Sequence, residues 1–164
     1  MYPDKYKKKK LQIYITMQKT IQKQIGVFFR DVTAMGGLAA SILLILLFIS
    51  SPLLIPLIAG SILTAGIIVV IRIFYFKNRP EKETYNNFIE RIDASSFPSL
   101  HSARIVFLAI LFSVHFANQY LAILCTVVAA LVSYSRIYLK KHDWIDVAGG
   151  VVVGIATYFI ISYI

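Results

Sequence analysis

Residues 32–71 read VTAMGGLAASILLILLFISSPLLIPLIAGSILTAGIIVVI, forty positions without a charged side chain. As one helix this stretch would be about 60 Å long, twice the ~30 Å hydrocarbon thickness of a bilayer. It must therefore fold back on itself, and Ser50-Ser51-Pro52 is the turn the sequence offers. One span is expected over about 33–50 and a second over about 53–75.

Working outward, a second charge-free run covers Ile105–Ser135 and is broken at Ala117-Asn118-Gln119. It yields spans of about 100–117 and 119–138, and a last span runs from about Trp144 to the C-terminus. Tyr75, Tyr138 and Trp144 stand near the ends of these spans, where interfacial aromatics collect. The composition agrees: of 164 residues, 58% are hydrophobic and only 15% charged, with a mean hydropathy of +0.72. Too few polar residues remain to coat a soluble monomer. The expected fold is all-α, an integral membrane bundle of about five transmembrane helices. No internal repeat is visible.

The formal net charge is +9, and eight of the 17 Lys and Arg residues lie in the first 30 positions. Leu11, Tyr14, Met17, Ile21, Ile25 and Phe28 recur there at helical spacing, with Lys19, Lys23 and several Gln on other faces. This reads as an N-terminal amphipathic helix, either lying among headgroups or packed on the spans. Residues 1–30 are thus a basic tail and interfacial helix, apt for anionic lipid, and 31–164 a membrane domain. Nucleic acid is not the expected partner. Lys19 and Lys23 interrupt any signal-peptide pattern. The lone Cys125 excludes an internal disulfide and a cysteine metal cluster.

An odd number of spans puts the tail, the polar 77–98 loop and the 139–143 loop on one membrane face. The ionisable residues border that face in three groups: Arg72 and Arg79; Ser99, His101 and Arg104; Arg136, His142 and Asp146. Guanidiniums stay charged and imply an anion with several oxygens. Ser99 precedes a helical run, so it can cap that helix while the first free amides face an anion. His142 and Asp146 are spaced i, i+4, which lets the carboxylate bond Nδ1–H and leave Nε2 as base or nucleophile. His101 is a second imidazole, able to donate a proton. The blander readings are snorkelling for Arg72, Arg104 and Lys141, a structural role for His115, and Asp143 as a negative residue at a helix N-terminus. No carboxylate cluster suits a divalent metal, so metal-independent phosphoryl transfer without cofactor is the expected chemistry.

These residues resemble the type 2 phosphatidic acid phosphatase superfamily, whose helical core is shared with vanadium haloperoxidases. Its three motifs are K-x6-R-P, P-S-G-H and S-R-x5-H-x3-D. Here they read Arg72-x6-Arg79-Pro80, Pro98-Ser99-Leu100-His101, and Ser135-Arg136 followed by His142 and Asp146 at the required spacing. The resemblance covers about 30–164 and implies roles. His142 attacks phosphorus, Asp146 orients it, and His101 protonates the leaving oxygen. Arg72, Arg79, Ser99, Leu100 and Arg136 hold phosphate oxygens. The implied substrate is a lipid phosphate or diphosphate, with polyisoprenyl first and phosphatidate second. Arg72 replaces the motif lysine and keeps its charge; Leu100 replaces the motif glycine, where positive φ would be costly.

The family usually has six spans and a site outside the cytoplasm, whereas the basic tail here puts the catalytic face in the cytoplasm by the positive-inside rule. Rival readings are a non-catalytic binder of anionic lipid with a degenerate site, a vanadate-dependent haloperoxidase and a small transporter. Haloperoxidases of this core are typically soluble. A transporter would place ionisable groups deep in the spans rather than at one edge.

Overall fold

The computed structural model describes residues 4–163, with side chains from Lys9 onward. The lysine side chains at 5, 7 and 8, part of the expected anionic-lipid contact, lie outside the described residues. Seven helices succeed one another among the described residues: α1 (Asp4–Ala34), α2 (Leu38–Leu47), α3 (Leu54–Phe74), α4 (Phe88–Ala94), α5 (Leu100–Phe116), α6 (Gln119–Tyr138) and α7 (Trp144–Ser162).

Four of the expected spans fall on α3, α5, α6 and α7. Of these, α3, α6 and α7 are long and apolar enough to cross a bilayer. The 17 residues of α5 extend about 25 Å, slightly less than the hydrocarbon core. The outward faces of these helices carry Ile62, Val70, Ile123, Val152 and Phe159, all exposed. Such surfaces belong against lipid, and the chain is an integral membrane protein.

The first expected span is corrected. Residues 33–50 are not one helix: α1 runs on to Ala34, the chain breaks at Met35-Gly36-Gly37, and α2 supplies only ten residues. Consecutive glycines favour the break because they gain least from helix. Together α1 and α2 are apolar enough for a crossing, but they meet at a 48° bend. The apolar stripe of α1 from Leu11 to Phe28 stays exposed. Only its last turns pack on α6, where Phe29 meets Tyr134 and Tyr138 and Thr33 bonds Ser135. The fold-back after α2 occurs where expected, with Ser51 Oγ accepting the Leu53 amide at 3.2 Å.

At the centre, α5 packs against α3, α6 and α7. Its Phe107 and Leu108 join Leu53, Leu57 and Ile161 in one apolar cluster, and Ile105 joins Ala129 and Val132 of α6 in another. Along α3 the buried stripe Leu57, Gly60, Thr64, Ile68 and Arg72 keeps helical spacing. Arg72 therefore continues the core face and does not snorkel.

Two glycines of α7 set the approach that matters most for the polar end. A Cβ at Gly150 would lie 2.5 Å from the Ser99 carbonyl oxygen, and one at Gly154 would lie 2.4 Å from that of Ala103. Both neighbours are backbone and cannot yield. The start of α5 is thereby held against the start of α7.

The expected 77–98 loop contains α4. Asn87 caps it by accepting the Glu90 amide at 2.8 Å, while Glu90 Oε2 accepts the Asn86 amide at 2.7 Å. The polar loops before and after the α4–α6 region meet on one face: the Glu81 amide donates to Lys140 O at 3.2 Å, and Lys141 Nζ pairs with Glu83 at 2.8 Å.

Candidate active site

The end of α6 fixes one wall. Its last turn closes in a Schellman motif, with Lys140 N–H on Ile137 O and Lys141 N–H on Arg136 O, at 2.9 and 3.0 Å. Lys140 takes the left-handed position at φ 55°. The reversed chain returns the His142 amide to Arg136 O at 3.2 Å, so His142 sits beside the buried Arg136.

Asp143 then caps α7. Its side chain accepts the Ile145 and Asp146 amides, both at 3.0 Å, and Asp146 Oδ2 accepts the Asp143 amide at 2.9 Å. This reciprocal capping box explains Asp143 as a helix-terminal acid and rigidly places Asp146, whose side chain is 0% exposed. The Asp146 carbonyl accepts the Ser99 amide at 2.9 Å, tying the α5 start to α7.

Ser99 is the α5 cap, as its sequence context implies. Its Oγ takes the Ser102 amide at 3.4 Å and the Ser102 hydroxyl at 3.0 Å. Its amide is therefore engaged within the protein, while its hydroxyl, the acceptor in both bonds, keeps its own proton to donate. The Leu100 and His101 amides, as first helical residues, have no intrahelical acceptor. Positive φ among non-glycine described residues occurs only at Ala117 and Lys140. Leu100 is thus ordinary helix, and its replacement of glycine carries no backbone strain. His101 faces the same space, within electrostatic reach of Arg136, His142 and Arg79.

The three arginines are held differently. Arg72 donates to Pro98 O at 2.9 Å and Ile92 O at 3.3 Å, clamping the loop ahead of Ser99. Arg79 pairs with Glu83 and donates to Asp93 O. Arg136, 8% exposed, lies within electrostatic reach of both. The Nε atoms of all three are buried without a partner. Guanidiniums so gathered repel one another and leave donors unsatisfied, a state that a multiply charged oxyanion relieves.

His142 Nδ1 lies 3.8 Å from Asp146 Oδ2 and is itself buried without a hydrogen-bond partner. The expected pair is adjacent but not closed. Asp146 is engaged elsewhere: Oδ2, the oxygen nearest His142, accepts the Asp143 amide, and Oδ1 receives Lys77 Nζ at 2.7 Å, which also contacts Asp143 Oδ2 at 2.6 Å. Burial opposes the Lys77 ammonium, but its bonds to Asp143 and Asp146 hold its pKa above the usual lysine value. Burial, aided by the charges of Arg136 and Arg79, holds the His142 imidazole below its ordinary value despite Asp146. Glu83, between Arg79 and Lys141, is held below the usual carboxylate range against the pull of burial.

All eight residues singled out in the sequence therefore come to one end of the bundle. The PAP2 superfamily model matches residues 53–164. The chain belongs to the PAP2 superfamily. Among solved structures, Aquifex aeolicus LpxE is similar at 24% identity and TM-score 0.73, covering 86% of this chain and 87% of its own. A transmembrane PAP2-type phosphatidylglycerolphosphate phosphatase from Bacillus subtilis is similar at 20% identity and TM-score 0.70, covering 85% and 76%. No curated protein sequence matches the chain.

Within the PAP2 pattern, Lys77 is the residue the motif reading missed. It stands two positions before Arg79 and looks in sequence like one more loop cation. Glu83 and Lys141 were likewise unremarkable as charges in polar loops. Arg104 was read as snorkelling, yet it is 5% exposed and donates to Gly36 O at 3.3 Å. His115 lies at the far end of α5, edge-on to Phe116.

Proposed function

We propose that this chain is a membrane lipid phosphatase that releases phosphate through a phosphohistidine on His142. The observation that carries this reading is the convergence of Arg72, Arg79 and Arg136, their Nε atoms buried and unpartnered, around His142. An apolar bundle with such a site at one end suits a substrate whose chain stays in the bilayer while its headgroup reaches the arginines.

In the first step His142 Nε2 attacks phosphorus, the bond from phosphorus to the lipid oxygen breaks, and His101 gives that oxygen its proton. Arg72, Arg79 and Arg136, with the Leu100 and His101 amides, stabilise the charge on the equatorial oxygens. Ser99 supports this cradle as the α5 cap. In the second step water attacks the phosphohistidine and loses a proton to His101, restoring both histidines and freeing inorganic phosphate. Asp146 balances the positive imidazolium formed on His142.

The substrate is a lipid phosphate or diphosphate. A polyisoprenyl (di)phosphate is our first assignment and a phosphatidate-type glycerolipid the second. The second is favoured by one observation, that the similar Bacillus subtilis protein is named for phosphatidylglycerolphosphate. A phosphate-release panel of both lipid classes in detergent, with and without EDTA, tests the proposal. Release is expected to survive EDTA and to be suppressed by orthovanadate, which mimics the trigonal-bipyramidal transition state. Loss with EDTA would refute the metal-free mechanism, release indifferent to vanadate would refute the phosphohistidine step, and no release from any lipid would favour a binding protein without turnover.

The basic N-terminal segment, residues 1–30, is the proposed contact with anionic lipid, and it assigns the catalytic face to the cytoplasm. A cysteine introduced in the 81–93 loop of a Cys125-free variant should be labelled only from the cytoplasmic side. Labelling from outside alone reverses the orientation.

A further inference from the structure

We propose that the apolar groove between α2, α5 and α6 holds the hydrocarbon chain of the substrate lipid. This rests on the phosphatase reading and assigns a second part of the substrate to its own site. The groove has a volume of about 370 Å³, and Ala40 and Leu43 of α2, Ile105, Leu108 and Phe112 of α5, and Cys125 of α6 are among its lining residues.

Its origin is the break after α1. The last turns of α1 pack on α6 while α2 packs on α3, so the 48° bend splays the two helices over the face of α5. Leu43 and Leu124, 57% and 58% exposed, stand on its rim, so it opens toward the bilayer.

Three observations connect it to the chemistry. His101, Arg104, Ile105, Leu108 and Phe112 follow one another at helical spacing, so the groove lies on the same face of α5 as the proton donor. By helical rise it spans about 6–17 Å below His101. The bend that creates it also touches the site, since a Cβ at Gly36 would lie 3.2 Å from the His101 carbonyl oxygen. Finally, phosphoryl transfer runs in line, with nucleophile and leaving oxygen on opposite sides of phosphorus. With His142 attacking and His101 protonating the leaving oxygen, the lipid departs on the His101 side. That direction leads down α5 to the groove.

Arg104 lies on α5 between His101 and Ile105, the first α5 residue that lines the groove. It is 5% exposed, its Nε is buried without a partner, and its Nη1 donates to Gly36 O at 3.3 Å. A cation in this position suits an oxygen joining phosphate to chain, either an ester carbonyl or a second phosphate.

The test uses the full chain in nanodiscs, with long-chain and short-chain versions of one lipid phosphate. Filling the groove with Ala40→Phe should lower the long-to-short ratio of kcat/KM by about tenfold, the scale of a lost apolar pocket contact. An unchanged ratio overturns the groove while leaving the phosphatase reading intact. No hydrolysis of either substrate by the unaltered chain removes that reading, and the groove with it.

Cys125 gives a second measurement that needs no variant. A long-chain alkyl phosphonate should slow alkylation of Cys125 saturably, whereas methylphosphonate should not. Equal protection by the corresponding unphosphorylated alcohol would mean that ordinary bilayer lipid fills the groove, and no protection would mean that the chain lies elsewhere; either result overturns the proposal.

Discussion

His142→Ala should reduce phosphate release from a lipid phosphate by at least about a thousandfold, because it removes the atom that forms the covalent intermediate. The side chain is 2% exposed, so its loss leaves a small cavity and lowers Tm modestly. The decisive readout is trapping of phosphoenzyme after an acid-avoiding quench, present in the unaltered chain and absent in the variant. Retention of turnover within tenfold would remove His142 from the mechanism.

The same residue governs the acid limb of the pH profile. The nucleophile must be neutral, and its pKa lies below the ordinary histidine value of 6.5. Below that folded pKa the imidazole is protonated and attack stops; above it Nε2 is free. Activity should therefore hold through pH 6.5 and fall only in more acidic solution.

Asp146→Asn should have the second largest effect, a fall in kcat of about a hundredfold or more by analogy with other His-carboxylate pairs. Asp146 receives Lys77 on one oxygen and the Asp143 amide on the other. Asparagine can accept at only one of these positions, and its NH2 group then faces a donor at the other. A stability loss of about 1–3 kcal/mol is expected alongside the kinetic one.

Lys77 separates the two contributions. Lys77→Met removes a cation that neutralises Asp146, leaving its full charge to favour imidazolium on His142. The acid limb should then move upward by about one pH unit, with Lys77→Arg restoring most of it. A purely structural lysine would change Tm and leave the limb in place. Activity of Asp146→Asn within tenfold of the unaltered chain, at matched folding, would dismiss the pair as a catalytic unit.

Much of this architecture was legible from residue order alone. The charge-free runs placed α3, α5, α6 and α7 to within a residue or so, because lipid contact demands apolar side chains on most faces and only turns escape that demand. The third motif brought His142 and Asp146 close together but not onto one helix face: His142 precedes the Asp143 cap and lies outside α7, and its Nδ1 stands 3.8 Å from Asp146 Oδ2. The first span was misplaced for a related reason: hydropathy records apolar content, not the break that Gly36 and Gly37 impose.

Four features required the tertiary fold. Lys77 meets Asp143 and Asp146 only because the loop after α3 crosses the start of α7. Arg72 and Arg104, both compatible with snorkelling, are buried because backbone carbonyls of distant segments, Pro98 and Gly36, stand within their reach. The His142–Asp146 pair stands open at 3.8 Å while the two carboxylate oxygens take the Asp143 amide and Lys77, the second of which comes from a distant segment. The groove exists because α1 and α2 diverge toward different neighbours. Sequence by itself determined which residues are apolar, which are charged and how helical turns align them. Tertiary packing decided which charges share a partner and where the apolar surface leaves room, because both depend on contacts between segments far apart in the chain.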